Sequence, residues 1–533
     1  MTEDGLPRGE YYPGFDPVTS TDLPAELARP LTDADLSDGW QLDFHYPRGI
    51  LPLSHELLAI VNHAAQQAAD AMPVPVSHGL AARLVGPHVY TGGVPVASAG
   101  ERADRAAAAS PEIARYHEVF AEQWTRQARE LDAAYRRVED LDGALSVFAD
   151  GWRLHFDVMY RLLAVIDNVR AVCTALGVPE WQVASLLPAG ETAVLATDRE
   201  LWQLAARARG WGLLPLFRAH EQAAALADAI SGERRWCTEF ESFLRRRGQR
   251  TDAVLDVGEA SWAEDPTRPL MLIRSILLGG SGPPRQAAAA TEQIRSRLAA
   301  ADRRVFDNAL DLAQKANFAW WNEEHNVHID LRLHLPIRAA GRALAARLGG
   351  APDDGLLLFV PELRELAAGR RDWADVTDLI ASRRSWRAAW LERRAGLPRA
   401  IGAGHPDTVD PVMREVIGAP TVAGPQATML LGLPASRGIA RGHARIVAAA
   451  HELARTGSGD VLVCEATSPS WTPAFTRLAA CVCDSGGALT HAAIICREYG
   501  LPCVCAVGVA TRLIRDGDLV EVNGTAGTVT ILR

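Results

Sequence analysis

Cys483-Asp484-Ser485-Gly486-Gly487-Ala488-Leu489-Thr490-His491-Ala492-Ala493-Ile494-Ile495-Cys496-Arg497-Glu498-Tyr499-Gly500-Leu501-Pro502 reads as the end of a strand, a glycine turn and a helix. Thr490 is a natural N-cap and Gly500 a natural stop, so the spacing predicts a helix over 491–499. His491 then lies in the first turn, where unpartnered backbone N–H groups and the helix dipole attract an anion. Neutral imidazole is a good nucleophile near pH 7, its ordinary pKa being about 6.5. A phosphoryl group on that ring would meet the helix amides, the Thr490 hydroxyl and the close backbone of Gly486 and Gly487. Helix position alone favours a plainer reading, an ordinary polar side chain at a helix start.

The texture around the string is that of an α/β domain. GIARGHARIV, DVLVCEA, LAACVCDS, LPCVCAV, LVEVNG and TVTILR are short β-rich runs separated by Gly, Asp and Asn, and they define a domain over 431–533. Residues 401–430 repeat Gly and Pro and read as a linker. Upstream, 36–400 reads as a mainly α-helical domain. From about 101 onward its apolar residues recur at three- and four-residue spacing, while 36–100 mixes aromatics such as Trp40, Phe44 and Tyr46 with turn formers. Residues 1–35, rich in Pro, Asp and Thr, are expected to be a loosely ordered lead-in. The expected fold class is therefore multidomain, with a mainly α-helical domain followed by an α/β domain.

Composition narrows the partners. A chain of 533 residues exceeds what a single core organises. Its net charge of -10 argues against nucleic acid, which wants a basic face. Lys315 is the single lysine, and no Gly-Lys-Ser/Thr step exists for a nucleotide-phosphate loop. No apolar run approaches the ~20 residues of a membrane span, and the acidic N-terminus lacks a signal core, so a cytoplasmic protein without membrane contact is expected. Of the 8 cysteines, Cys481, Cys483, Cys496, Cys503 and Cys505 crowd the C-terminal part. Pairs two apart share a strand face and pack as small apolar residues, whereas zinc pairs stand further apart, so reduced structural thiols and no metal site are expected.

The helical region holds an unusually polar run, Glu323, Glu324, His325, Asn326 and His328, beside Trp320 and Trp321. On a continuous helix Glu324 and His328 share a face, as do His325 and Arg332. His325 or a neighbouring carboxylate could take a proton from an acceptor hydroxyl, with Trp321 as an aromatic wall. A solvated face with packing tryptophans is the plainer alternative. His155, with Trp152 and Tyr160, could likewise face a pocket, although core packing is the more ordinary role.

Taken whole, the opening string closely resembles the swivelling phosphohistidine domain of the phosphoenolpyruvate-utilising enzyme family. That motif runs Gly-Gly, a short step, Ser/Thr-His-Ala-Ala, then Arg-Glu-x-Gly-x-Pro. The likeness covers 432–533: GLPASRGIARGHARIV opens it, TSPSWTPAF leads into the site and GDLVEVNGTAGTVTIL closes it. It makes His491 the phosphorylated histidine and Thr490 the hydroxyl residue before it. Earlier strings resemble the acceptor-binding domain of the rifampicin phosphotransferase branch, namely DFHYPRGILPLSHEL, then Gly248 and Arg250 followed by Trp262, Glu264, Asp265 and Pro266, then WWNEEHNVHIDLRLHLPIR.

The acceptor-like segment begins near residue 36, so a nucleotide domain is not expected within these residues. The resemblance then implies a separate ATP-grasp subunit, as in the phenylphosphate and alkylphenol phosphate synthases. That subunit would bind ATP with Mg2+ and pass the β-phosphoryl to His491, giving AMP and phosphate. The acceptor would be a small, phenolic hydroxyl. A natural-product alcohol or an antibiotic hydroxyl is the alternative acceptor. A non-catalytic regulatory protein of the same fold is the alternative of another class, against which the intact histidine and glycine loop stand.

Overall fold

The computed structural model describes residues 10–16, 18–23, 27–32, 39–71, 79–93, 122–178, 183, 186, 193–251, 253–279, 290–316, 326–401, 418, 427–448, 450–468, 471–487 and 490–532. The contacts divide the chain into two compact units. The first comprises Met1–Val165, Ala253–Glu259 and His328–Met413, the second Ile166–Asp252, Ala260–Val327 and Arg414–Arg533.

In the first unit, alternating apolar residues build a five-stranded sheet in the order Ala28–Pro30, Leu80–Val85, His88–Gly93, Trp40–Leu42, Ala400–Ile401. Its middle is a hairpin that turns at Gly86, whose φ of +59° suits glycine and where a β-carbon would run into the Trp390 indole. Trp40, Leu42, Val85, Tyr90, Trp390 and Ile401 close this core. Helix Pro52–Asp70 begins with proline in its first turn and is buried along most of its length. The region expected to be mainly helical thus contains a sheet: apart from the hairpin over 80–93, its strands are three residues or fewer and far apart in sequence.

Within the expected lead-in 1–35, residues 10–16, 18–23 and 27–32 are described. Tyr12 is buried against Trp386 at 4.4 Å and donates its hydroxyl to the Ile50 carbonyl at 2.8 Å. Arg383 Nε donates to the Pro13 carbonyl at 2.9 Å. Ala28–Pro30 pairs in parallel with Leu80–Val85. Aromatic burial and donors supplied from distant sequence order what composition alone left loose.

The second unit joins a helical layer to the α/β region. Helices Ala193–Gly210, Leu214–Ala219, Ala223–Ile230, Arg234–Arg247 and Thr267–Gly279 pack around Phe217, Trp236, Phe243, Trp262 and Ile273. An eight-stranded sheet follows, and its strands Ile439–Ile446, Val461–Cys464, Ala480–Cys483 and Cys503–Cys505 run parallel as neighbours. Leu462, Cys464, Cys481, Cys483, Cys503 and Cys505 face helix His491–Tyr499 on one side of the sheet. Val461, Val463, Ala480, Val482 and Val504 fill the other side. Both faces are covered, which is why these strands read as unbroken apolar runs.

The expected boundary near 430 is not where the contacts divide. Helix Thr267–Gly279 packs both on Ala193–Gly210 and on the segments Ala450–Arg455 and Thr472–Phe475. Most of the expected linker 401–430 lies outside the described residues. Gly418, which is described, is buried with a φ of +82°, and a β-carbon there would lie 2.7 Å from the Gly486 carbonyl oxygen. Among the described residues no helix is long and apolar enough to cross a membrane.

Candidate functional site

His491 opens the helix His491–Tyr499, as the spacing predicts. Thr490 holds the extended N-cap conformation, and Gly500 ends the helix in the left-handed region at a φ of +66°. The loop before it is built by Gly486, at a φ of +105°. Asp484 anchors the loop: its buried carboxylate accepts the backbone N–H groups of Ala510 and Thr511 at 2.5 and 3.1 Å. Gly487 is buried beside it, and its carbonyl accepts the Thr490 hydroxyl at 2.8 Å. That hydroxyl was expected to face a phosphoryl group; in this state it braces the glycine loop.

The ring of His491 is held from two sides. Its Nδ1 is 2.8 Å from the Thr467 hydroxyl and its Nε2 is 2.9 Å from the Thr472 hydroxyl. A neutral imidazole has one donor and one acceptor nitrogen, and two hydroxyls satisfy both. Phe475 stands edge-on to the ring, with centroids 6.0 Å apart. Only 8% of the residue is exposed. Burial first, and then the Arg250 guanidinium, push its pKa down to about 3. The ring is therefore neutral, and nucleophilic, across the physiological range.

This shift has a measurable sign. Depressing the pKa disfavours the charged ring, so the neutral form persists down to about pH 3, whereas an exposed histidine loses it below about 6.5. The ring carbon and nitrogen resonances of His491 are expected to stay at their neutral positions from pH 8 to pH 5. A titration step near 6.5 in NMR spectra of imidazole-labelled protein would contradict the burial.

Arg250 lies close enough for its charge to reach His491, and Asp198 lies near Arg250. Arg250 is buried, stacks over Trp262 at 4.7 Å and places Nη1 3.5 Å from the Thr197 hydroxyl. Asp198, next along helix Ala193–Gly210, accepts the Tyr499 hydroxyl at 3.5 Å. Burial raises the Asp198 carboxyl well above its ordinary range, against the opposing pull of Arg250 and Tyr499. The Arg250 charge thus reaches a neutral imidazole, and a cation there favours an added anion.

Thr467 and Thr472 were legible but overlooked. They follow strand Val461–Cys464 at its carboxyl end, the place where open parallel sheets put ligands. Arg250 stands in a string that resembles the rifampicin phosphotransferase branch, but nothing in that string points to His491.

The cysteines lie in the sheet core. Two groups, Cys464/Cys481/Cys483 and Cys481/Cys496/Cys503, bring their sulfurs within 4.8 Å of one another. Ligation requires thiolates, and burial holds Cys496 well above its ordinary value.

Of the expected acceptor residues, Trp321, Glu323, Glu324 and His325 lie outside the described residues. Asn326 begins a π-turn, Asn326–Asp330, and the next helix starts only at Leu335 with Pro336 in its first turn. The described chain from Asn326 to Leu335 is therefore not one regular α-helix, and His325 itself lies outside the described residues. Arg332 pairs with Asp132 at 3.0 Å and stacks over Tyr135 at 4.3 Å. His155 is buried beside Trp152 at 4.6 Å, with Nδ1 3.4 Å from Asp330, and His328 is half-buried.

Gly486 yields a second measurable expectation. A side chain there is strained by the positive φ, and its β-carbon would press on the Thr490 hydroxyl at 2.9 Å. Gly486→Ala should cost about 1–3 kcal/mol in urea unfolding. An unchanged midpoint would mean that the loop tolerates the side chain.

Residues 456–527 match the family described as PEP-utilising enzyme, mobile domain, and residues 158–323 match the rifampicin phosphotransferase fourth domain. The chain is 27% identical over 415 residues to chondramide synthase of Chondromyces crocatus, covering 72% of this chain and 10% of that protein. It is 27% identical over 309 residues to the rifampicin phosphotransferase of Bacillus cereus, covering 55% and 34%. To that of Streptomyces sviceus it is 48% identical over 103 residues, covering 19% and 12%. The chain spans about a third or less of the length of these relatives. Thr467, Thr472 and His491 fall in the first matched segment, and Asp198 and Arg250 in the second.

Proposed function

We propose, from the membership of residues 456–527 in the mobile-domain family of the phosphoenolpyruvate-utilising enzymes, that this chain is a phosphotransferase whose His491 carries the phosphoryl group. One observation carries the reading: a buried, neutral imidazole at a helix N-terminus, held at both nitrogens by threonine hydroxyls and facing the Arg250 charge. The incoming phosphoryl group displaces one hydroxyl from the ring, and that hydroxyl can then donate to a phosphoryl oxygen.

The donor is ATP, bound with Mg2+ by a separate ATP-grasp subunit, whose β-phosphoryl passes to His491 and leaves AMP and phosphate. The groups held against His491 do not fit Mg2+, which wants several oxygen ligands including carboxylates: they are two hydroxyls, with a guanidinium whose charge reaches the ring. The ion therefore belongs with the nucleotide, where it neutralises phosphate charge. Residues 431–533 act as the swivelling domain, and the mainly helical region before them binds the acceptor, with Trp321, Glu323, Glu324, His325, Asn326 and His328 as its proposed lining.

The acceptor is a small hydroxyl compound, phenolic in the leading reading. A natural-product hydroxyl is the second reading, favoured by the match of 158–323 to a rifampicin phosphotransferase domain. The test uses ATP labelled at the β or the γ position, a candidate ATP-grasp protein and this chain. Acid-labile, base-stable label from the β position alone is expected on this chain. Label that survives acid, or that comes from the γ position, overturns the assignment. Offering phenol, alkylphenols and natural-product alcohols then separates the acceptors by the phosphomonoester formed.

A further inference from the structure

Helix Thr267–Gly279 lies against helix Ala193–Gly210 and also against the segments Ala450–Arg455 and Thr472–Phe475. The second unit therefore has an internal seam, between its helical layer and the layer that carries His491. Apolar packing does not fuse the two layers. The cluster around Leu201, Phe217 and Ile273 is separate from the sheet's clusters around Phe475 and Ile495 and around Val461 and Val522. Polar contacts cross the seam, and they are long. Arg477 Nη1 donates to the Ser275 carbonyl at 3.5 Å, and the Tyr499 hydroxyl donates to Asp198 Oδ2 at 3.5 Å. Such a seam opens at small cost, because long hydrogen bonds are weak and water replaces them.

We propose that Asp198 is a proton-operated latch on this seam: neutral, it stays buried against Tyr499 and keeps the histidine-bearing layer closed, and its ionisation opens the seam and frees His491 to meet its donor. The proposal rests on the reading of 431–533 as a swivelling domain. His491 is only 8% exposed, so a donor on another subunit reaches the ring only after a movement.

The position of Asp198 makes its charge decisive. The residue is 5% exposed. Burial raises its carboxyl well above the ordinary range, and the opposing pulls of the Arg250 charge and the Tyr499 hydrogen bond are smaller. Other cations on the neighbouring elements are engaged elsewhere. Arg246 and Arg247 of helix Arg234–Arg247 pair with Glu200, and Arg274 of helix Thr267–Gly279 donates to the Phe217 and His220 carbonyls. Arg497, on the helix of Tyr499, donates to the Ala435 carbonyl.

The sign follows from the two states. When the seam opens, water reaches the carboxyl, its pKa returns to about 3.9 and its proton passes to water. The closed state has the higher pKa, so closing takes up a proton. Closure is strongest below the ordinary carboxyl range. It weakens by about tenfold per pH unit as pH rises toward the raised value, and levels off beyond it.

The experiment uses the full chain carrying Ser275→Cys. Ser275 is buried on helix Thr267–Gly279 with its carbonyl against Arg477, so the substitution puts a thiol at the seam. Alkylation by iodoacetamide is followed from pH 5 to pH 8, and mass spectrometry reads the rate at that site. Dividing by the rate in urea-unfolded protein at the same pH cancels the thiol's own ionisation. The ratio should rise with pH by about tenfold per unit before it levels. Adding Asp198→Asn, a side chain of the same shape that does not ionise, should keep the ratio low and flat. A flat ratio with Asp198 in place, or a slope that survives Asp198→Asn, overturns the latch. A ratio that never exceeds what global unfolding in a urea titration accounts for overturns the swivelling reading instead. Melting curves check that both variants fold. If Asp198→Asn does not, the presence or absence of the slope in Ser275→Cys alone still decides.

Discussion

His491→Asn should leave the protein folded and abolish acid-labile phosphate incorporation. The carboxamide offers one acceptor and one donor, so it can still engage the Thr467 and Thr472 hydroxyls that now lie 2.8 and 2.9 Å from the ring nitrogens. Loss of one hydrogen bond would cost about 1 kcal/mol, a small part of the stability of a domain. The nucleophile, however, is gone, and a carboxamide in its place cannot carry the phosphoryl group. Removing a nucleophile from a group that acts as a unit costs on the order of a million-fold. Labelling should therefore drop to background while the urea midpoint stays within a small shift. Label retained at the wild-type level would place the phosphoryl group elsewhere.

Arg250→Ala should produce the next largest loss. The guanidinium is buried, stacked on Trp262 at 4.7 Å, and its charge is felt by His491. A preorganised cation facing a developing anion contributes about 100- to 1,000-fold to rate. Alanine should therefore slow phosphorylation of His491 by about that factor. The change does not act by protonating the ring. Withdrawing a cation raises the His491 pKa from about 3, but burial is the larger cause of its depression and remains, so the ring stays neutral at pH 7. Arg250→Lys keeps the charge and loses the planar fork and the stacking, so it should recover part of the rate. Single-turnover labelling measures both variants. Equal rates in wild type and Arg250→Ala would make Arg250 a packing residue only.

Some of this site could be read directly from the chain. Thr490, His491 and Gly500 announce a capped, stopped helix, and the helix runs from His491 to Tyr499. Capping and left-handed stops depend on residues adjacent in sequence, so local order is enough. Paired cysteines two apart imply a shared strand face, and they lie together under that helix. The polar run at 323–328 shows the opposite case. Residue spacing there assumes a continuous α-helix, whereas Asn326–Asp330 is a π-turn and the next helix begins only at Leu335. The contact of His45 Nδ1 with Asp43 Oδ1 at 2.6 Å is also local in sequence, yet Thr91, 48 residues away, donates its hydroxyl to the same carboxylate.

Sequence alone determined the strand–glycine turn–helix unit, the place of His491 at its head and the scarcity of lysine that turns attention to a donor outside these residues. Those properties follow from backbone rules and side-chain inventory, which act over a few residues. Only the tertiary structure decided that Thr467 and Thr472 hold the ring, that the Arg250 charge reaches it, and that the imidazole is neutral. Burial and charge are set by groups brought together from distant parts of the chain, and a pKa depends on that whole environment.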